Sequence, residues 1–322
     1  MHYLDAVYGP VLIDEPVLLD LINSSAVQRL HHILQHGITG FLGLTQPITR
    51  FQHSVGVMLL TRRLGASLPE QIAALLHDVS HTAFSHVIDH VFPGQPYHER
   101  MKAAYLAQSD IPPILARYDY TWQDFLDEAA YPILEQPAPA LCADRLDYFF
   151  RDGMALGLLT TEDVAQAMAH LIIADHQIGV DALNTAQWLA YTYMKTDELS
   201  WSNVQAIGLY ELMAELIQTG LRVSAINESD VWLTDQAFWD KLASCPDQLL
   251  QAQLAQLRSP IYFIESKTHP WRELRPKIRT INPTVWVKGK DIRLSDLDAD
   301  FAQDLAAYRK RRQGVLSLTI AS

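Results

Sequence analysis

Residues 73–86 read AALLHDVSHTAFSH, an apolar run that turns into three histidines and an aspartate within ten residues, 77–86. The spacing is helix-like, and a polar group buried there without a partner costs about 2–7 kcal/mol. The pair His77-Asp78 therefore needs other side chains or a metal ion. SLPE at 67–70 reads as a capping box, with Ser67 as cap, Glu70 three residues on and Pro69 just inside the start. The helix it opens runs through QIAALLHD and places His77 and Asp78 at its end.

Outward from this stretch, most of the first 257 residues read as helices. EPVLLDLINS and SAVQRLHHILQHG have helical spacing, the second closing on Gly37; TRFQHSVGVMLLTRRLG closes on Gly65. Further helical patterns cover 97–107, 121–130, 138–152, 161–172, 182–197, 202–222 and 235–257. VYGPVLID near the start suits a short strand or hairpin. After RSP, the β-branched and aromatic residues of RTINPTVWVKGKDIRLSDLD surround a Gly-Lys turn, and VLSLTI follows a helix at about 297–311. The expectation is a helical core over 1–257 and a small α+β subdomain over 258–322.

Composition narrows the class. The 322 residues are 49% hydrophobic and 19% charged, the balance of a packed globular protein, and no apolar stretch is long enough to span a bilayer. The start lacks a signal-peptide layout, and two cysteines, Cys142 and Cys245, cannot build a disulfide framework, so a cytoplasmic setting is expected. A net charge of −12 opposes loose binding to nucleic acid or anionic membranes. RKRR at 309–312 reads first as a solvated helix end, with an anion contact as the other option. VWLTDQAFW at 231–239 reads as core ahead of a homo-oligomer contact.

Nine of the thirteen histidines fall between His31 and His98, a density that suggests metal or acid–base chemistry. Imidazole and carboxylate are ligands for zinc, manganese, iron, nickel or cobalt, but one helix cannot complete a coordination sphere. His53 in RFQHS and Asp144 in CADRLDYFFRD are polar residues in apolar helical surroundings. With His77 and Asp78 they offer two nitrogens and two oxygens to one divalent transition metal, leaving positions for water and substrate. Each also has a plain reading: a lone histidine is more often a satisfied core or surface residue, and Asp144 can pair with Arg145 or Arg151.

The ordered segments RFQHS (50–54), AALLHDVSHTAFSH (73–86), YHE (97–99) and ADRLDYFFRD (143–152), with VQRLHHILQHG (27–37) upstream, resemble the HD-domain phosphohydrolases. The likeness is nearest to the branch of the deoxynucleoside triphosphate triphosphohydrolases. It extends over about residues 3–160 and more faintly to IRLSDLD at 292–298. It implies a mainly α HD-domain fold and a metal held by His53, His77, Asp78 and Asp144. It also implies that His81, His86 and His98 line the phosphate side, with Asp89 and His86 orienting His98 as general acid. A histidine suits that role because its pKa can sit near working pH. Arg50, one turn before His53, can reach a phosphate. Gln35, Tyr148 and Asp152 match family positions at the sugar, Arg145 matches a phosphate contact, and Asp147 suits a residue that orients a ligand histidine.

Two departures bear on the substrate. His36 stands where that branch packs an apolar residue against the sugar. Where it carries a basic, tyrosine-rich helix for the outer phosphates, this chain has YTYMKTDELSWSN, with Lys195 as its only cation. The leading expectation is a metal-dependent phosphohydrolase acting on a nucleotide, a dNTP split to deoxynucleoside and triphosphate being one form. The alternatives are a phosphatase for a nucleoside monophosphate or other phosphate ester, a nucleotide sensor without turnover, and a di-iron oxygenase that would draw on His81, His86 and His98 for its second ion.

Overall fold

Three helices meet at the centre of the chain and fix everything around them. The computed structural model describes residues 1–321 apart from Pro93 and Gln95. The Arg50–Arg63 helix opens on a full capping box: Thr49 Oγ1 accepts from the Gln52 amide, and Gln52 Oε1 accepts from the Thr49 amide. It packs along the Leu68–Leu76 helix and against the Ala143–Ala155 helix, burying Phe51, Val55, Met58 and Leu59 with Leu75, Leu146 and Phe150.

The Leu68–Leu76 helix starts on Ser67 as expected, but Glu70 does not close the box. Its carboxylate turns inward and accepts from the Ile133 and Leu134 amides, so it ties down the segment leading to Asp144. The helix ends at His77, and residues 79–86 form turns, not more helix. Phe84 and Ser85 both have positive φ, 59° and 51°, which non-glycine residues adopt only under constraint. The constraint is visible: the Phe84 amide donates to Asp235 Oδ1 at 2.7 Å, and Ser85 Oγ donates to the Leu34 carbonyl at 2.6 Å.

The predicted helix over 25–37 is broken. Ser25–Arg29 is helical and Leu30–His32 is one 3₁₀ turn; Leu34 then bridges to Thr49, and Gly37 opens a new helix, Gly37–Phe41, instead of closing the old one. Gly37 has φ +48°, and a Cβ there would lie 2.4 Å from the Phe84 carbonyl oxygen, so only glycine fits beneath the turn. The 121–130 pattern is two 3₁₀ turns, and the 235–257 pattern splits into Asp235–Ala243 and Gln248–Arg258. Val231, Phe238 and Trp239 lie in a second core with Ile38, Phe84 and Leu216, as the core reading of 231–239 expected.

The strands are short. His2–Asp5 and Gly9–Leu12 form the expected hairpin, with His2 opposite Leu12. The end of the 161–172 pattern is a strand: Leu171–Ala174 pairs with Gln177–Val180. That hairpin continues into Thr284–Val287 by a parallel pairing, Val180 opposite Val285, and then into Lys290–Arg293. In a third sheet Leu316–Ile320 lies between Phe263–Glu265 and Arg272–Leu274. Elements after 257 thus share a sheet with elements before it, and Ile281, Val285, Leu294, Phe301 and Leu305 lie in the main core. The protein is mainly α-helical, with small sheets concentrated towards its C-terminal region. None of its described helices is long and apolar enough to cross a membrane.

Candidate metal centre

His53 projects from the Arg50–Arg63 helix, His77 caps the Leu68–Leu76 helix, Asp78 follows it, and Asp144 lies in the first turn of the Ala143–Ala155 helix. The fold brings their donor atoms together. His53 Nε2 lies 2.9 Å from Asp144 Oδ1 and 3.3 Å from His77 Nε2, which is 3.6 Å from the same Asp144 oxygen. Asp78 joins through Oδ2, 3.6 Å from His53 Nε2, and Oδ1, 3.6 Å from His77 Nε2. An ion about 2.1 Å from each donor spaces donors about 3.0 Å apart at right angles and about 3.4 Å apart in a tetrahedron. The observed spacings fit a single transition-metal ion.

The outer atoms of the two imidazoles are anchored as ligand histidines require. His53 Nδ1 lies 2.8 Å from Asp147 Oδ2, and His77 Nδ1 lies 2.7 Å from the Ala74 carbonyl, leaving both Nε2 atoms facing inward. Asp147 is itself held by Arg151 Nε at 2.7 Å, and Arg151 Nη2 reaches Asp5 Oδ2 at 2.9 Å. This line runs directly over Gly56, where a Cβ would lie 1.9 Å from Arg151 Nη2 and 2.2 Å from Asp147 Oδ1.

Electrostatics follow from crowding. Burial alone would raise the Asp144 carboxyl, but its bonds to His53 and His77 hold it below its usual range. Burial disfavours a proton on His77, yet Asp78 and Asp144 push it up to about 10; His53 is raised in the same way by Asp144 and Asp147. Asp78 stays ionised against its burial through the charge of Arg50. Of the four donors only Asp144 keeps appreciable exposure, 25% of its side chain, so the open side of the centre lies there.

Beside Asp78 lies a second histidine group, His81, His86 and His98, with ring nitrogens within 4.8 Å of one another. His81 Nε2 is 3.1 Å from Asp78 Oδ1, His98 stacks on His81 with ring centroids 3.9 Å apart, and His86 meets His98 edge-on. Asp89 accepts from the Tyr97 amide and lies 3.1 Å from His86 Nδ1, so it orients His86, and His86 in turn faces His98. One expectation is corrected: His98 does not sit near neutral pH. Burial first, then His86 and the positive Arg50, lower it to about 3, so it is neutral in the free protein.

The proposed substrate contacts divide. His36, Tyr148 and Asp152 gather in one place, with Gln35 next to His36 in the chain. His36 Nε2 lies 2.8 Å from Asp152 Oδ1, Asp152 Oδ2 accepts from Trp201 Nε1 at 2.6 Å, and Trp201 meets Tyr148 edge-on at 5.0 Å. Tyr148 lies 6.5 Å from His53, ring to ring, and hydrogen-bonds Tyr193. Gln35 Oε1 is buried with no partner among the described residues.

The cations are placed differently from expectation. Arg50 is an internal partner: Nη1 donates to Asp78 at 2.6 Å and Nε to Ser85 Oγ at 3.1 Å, leaving only Nη2 loosely held, 3.5 Å from the Gln35 carbonyl. Arg145 is spent on its own loop, donating to the Ala140 and Gln136 carbonyls, so it is tied down and not aimed at a phosphate. Lys195 is exposed, two positions from the inward-facing Tyr193 and hence about 200° round the helix from it. RKRR is likewise engaged outside the site, Arg309 with Thr280 and Arg311 with Glu198.

Sequence reasoning missed Trp201, Tyr193, Tyr210, Lys277 and Arg279. Trp201 ends a π-turn, Asp197–Trp201, that swings its ring onto Asp152; such turns have no sequence pattern but gather at functional sites. Arg279 lies over the Trp201 ring at 5.9 Å, and its charge acts on His86, Tyr148 and Tyr210.

Comparison with known proteins agrees with this geometry. The HD domain family matches residues 50–152, which contain all four donors. The metal-dependent phosphohydrolase cns2 of Cordyceps militaris is 40% identical over 301 residues, covering 89% of this chain and 85% of its own length. The chain belongs to the HD-domain metal-dependent phosphohydrolases. Within that family it is 26% identical over 206 residues to a deoxynucleoside triphosphate triphosphohydrolase SAMHD1 homolog of Dictyostelium discoideum, spanning 54% of this chain and 40% of that one. A phosphohydrolase crystal structure from Bacteroides thetaiotaomicron shares the fold, with TM-score 0.75 at 16% identity over 99% of this chain and 98% of its own.

Proposed function

We propose that this protein hydrolyses a phosphate ester of a nucleotide, with the ester at the open side of Asp144 and the nucleoside against Tyr148, Trp201 and Asp152. The observation that carries the reading is the convergence of His53, His77, Asp78 and Asp144 at metal-ligand spacing beside a second histidine group. A divalent ion held by these four residues supplies Lewis acidity to a phosphoryl oxygen and a water nucleophile near neutral pH.

The chain's own residues do the rest. Asp147 and the Ala74 carbonyl keep both imidazoles aimed at the centre. His98 is the proton donor to the leaving oxygen. It is neutral in the free protein, and a phosphate dianion beside it supplies the negative charge that favours its protonated form. Asp89 and His86 hold it in register. Gln35 Oε1, buried and unpartnered, offers an acceptor to a sugar hydroxyl, while the His36–Asp152 pair shapes the sugar's neighbourhood. A sensor that only holds a nucleotide has no need of an activated water.

A deoxynucleoside triphosphate is the substrate that the Dictyostelium relative's name supports. A nucleoside monophosphate is the second reading, favoured by Lys195 facing away from the centre and Arg145 being tied to its loop. Product analysis decides: the protein loaded with manganese, nickel, cobalt, iron or zinc is given dNTPs, NTPs and nucleoside monophosphates. Release of phosphate or triphosphate with nucleoside is expected; tight nucleotide binding without any release assigns a sensor.

A further inference from the structure

The segment 275–283 lies against the loop that leads to Asp144. It is pinned from behind: the Asn282 amide donates to the Pro139 carbonyl at 2.9 Å, Ile281 is fully buried, and Thr280 accepts from Arg309 at 2.9 Å. Ile278 and Thr280 line one cavity of about 320 Å³ with Ala138, Pro139 and Arg309. Lys277 and Arg279 alternate with those two residues and do not line that cavity; Lys277 is exposed and Arg279 half-buried. Lys277 feels the charges of Asp144, Glu135 and Arg145, and the charge of Arg279 acts on His86, Tyr148, Tyr193, Tyr210 and Asp197.

Neither cation has a hydrogen bond or an ion pair among the described residues, although the site around them is rich in carboxylates. Their contrast with the other nearby cations is sharp. Arg50 is paired with Asp78, Arg145 with loop carbonyls and Glu135, Arg151 with Asp147 and Asp5. Two cations two residues apart on one segment, each without a carboxylate partner, repel one another. An anion between them relieves that cost.

We propose that Lys277 and Arg279 are the phosphate-binding cations of this enzyme, Arg279 over Trp201 and Lys277 two residues before it on the same segment, standing in for the cations that the helix carrying Lys195 does not present. The inference rests on the phosphate-ester reading above and sharpens it: the anion clamp comes from a segment more than a hundred residues after the last metal donor. Arg279 stacks on Trp201, which bonds Asp152, so its grip on the phosphate is coupled to the face that takes the nucleoside.

The test uses the full-length, metal-loaded protein and the Lys277→Ala, Arg279→Ala, double and Lys195→Ala variants. Binding of inorganic phosphate and of tripolyphosphate is measured by calorimetry, alongside metal content, melting temperature and KM on whichever nucleotide the wild type hydrolyses. Each single clamp variant is expected to weaken phosphate binding about tenfold or more and to raise KM in step, as loss of a charge-assisted contact does. Metal content and melting temperature should hold, and Lys195→Ala should match wild type. A double variant that binds both probes as wild type does overturns the inference and leaves the phosphohydrolase reading standing. A wild type that binds neither probe and cleaves no nucleotide overturns the reading itself.

Discussion

Asp144 touches both imidazoles and alone of the four converging residues keeps an exposed edge, which makes it the proposed ligand to test first. Asp144→Ala should lose the metal and the turnover together, read by elemental analysis and phosphate release; a variant that keeps both removes it from the centre. His98→Ala should keep the metal and lose about 10²- to 10⁴-fold in kcat, the span of a general acid. The protonation of the donors makes a second prediction. In the metal-free protein His77 and His53 have raised pKa values, His77 to about 10. Raised imidazoles give stability that is complete below the ordinary histidine pKa and is lost as pH rises through the folded value. The metal-free protein should therefore melt progressively lower between about pH 6.5 and pH 10. The metal-loaded protein, whose ligand imidazoles must be neutral, should not show that slope, and its affinity for the ion should climb with pH. Parallel melting curves with and without a chelator would contradict this. The convergence of His53, His77, Asp78 and Asp144 was legible in the sequence because each is a polar residue in an apolar stretch, a placement that is costly without a partner. His98 was legible by position but not by charge: its low pKa comes from burial, His86 and Arg50, neighbours that only the folded chain brings to it.

The elements position these residues through a few tight contacts. Gly56, three residues after His53, lets the Asp147–Arg151 pair cross the Arg50–Arg63 helix. Gly56→Ala should cost about 2–4 kcal/mol by overpacking and by disturbing a buried ion pair. It should also weaken metal binding, because Asp147 aims His53; denaturant unfolding and metal titration read the two effects separately. Asp235 works on the other side, accepting from the Phe84 and Leu34 amides at 2.7 and 2.8 Å. Asp235→Ala leaves two amides without a partner and should cost about 2–4 kcal/mol, with faster amide exchange over 79–86 as its local signature. Helices with caps and long periodic faces were readable, as the Arg50–Arg63 and Val204–Arg222 helices show. The 25–37 pattern failed because its end pairs with Thr49, and LIIA at 171–174 failed because a short apolar run suits strand and helix alike.

At the scale of the molecule, the composition change near 257 is real, but the elements beyond it are woven into those before it. Thr284–Val287 extends the sheet begun at Leu171, and Phe301, Leu305 and Tyr308 complete the main core. A chain ending at 257 should accordingly fail to fold cooperatively, judged by near-UV circular dichroism and by a broad thermal transition; a sharp two-state melt would show a self-sufficient helical unit. The proposed role of Lys277 and Arg279 could not be found from sequence for the same reason: their segment has no periodicity, and its position is set by tertiary anchors such as Asn282 and Thr280. That placement also orders events during translation. Asp144, the final donor, leaves the ribosome about 130 residues ahead of Arg279, an interval of roughly ten seconds at ordinary elongation rates. Because Phe301, Leu305 and Tyr308 complete the main core, the four converging side chains wait for residues made after that segment before the port they form is assembled.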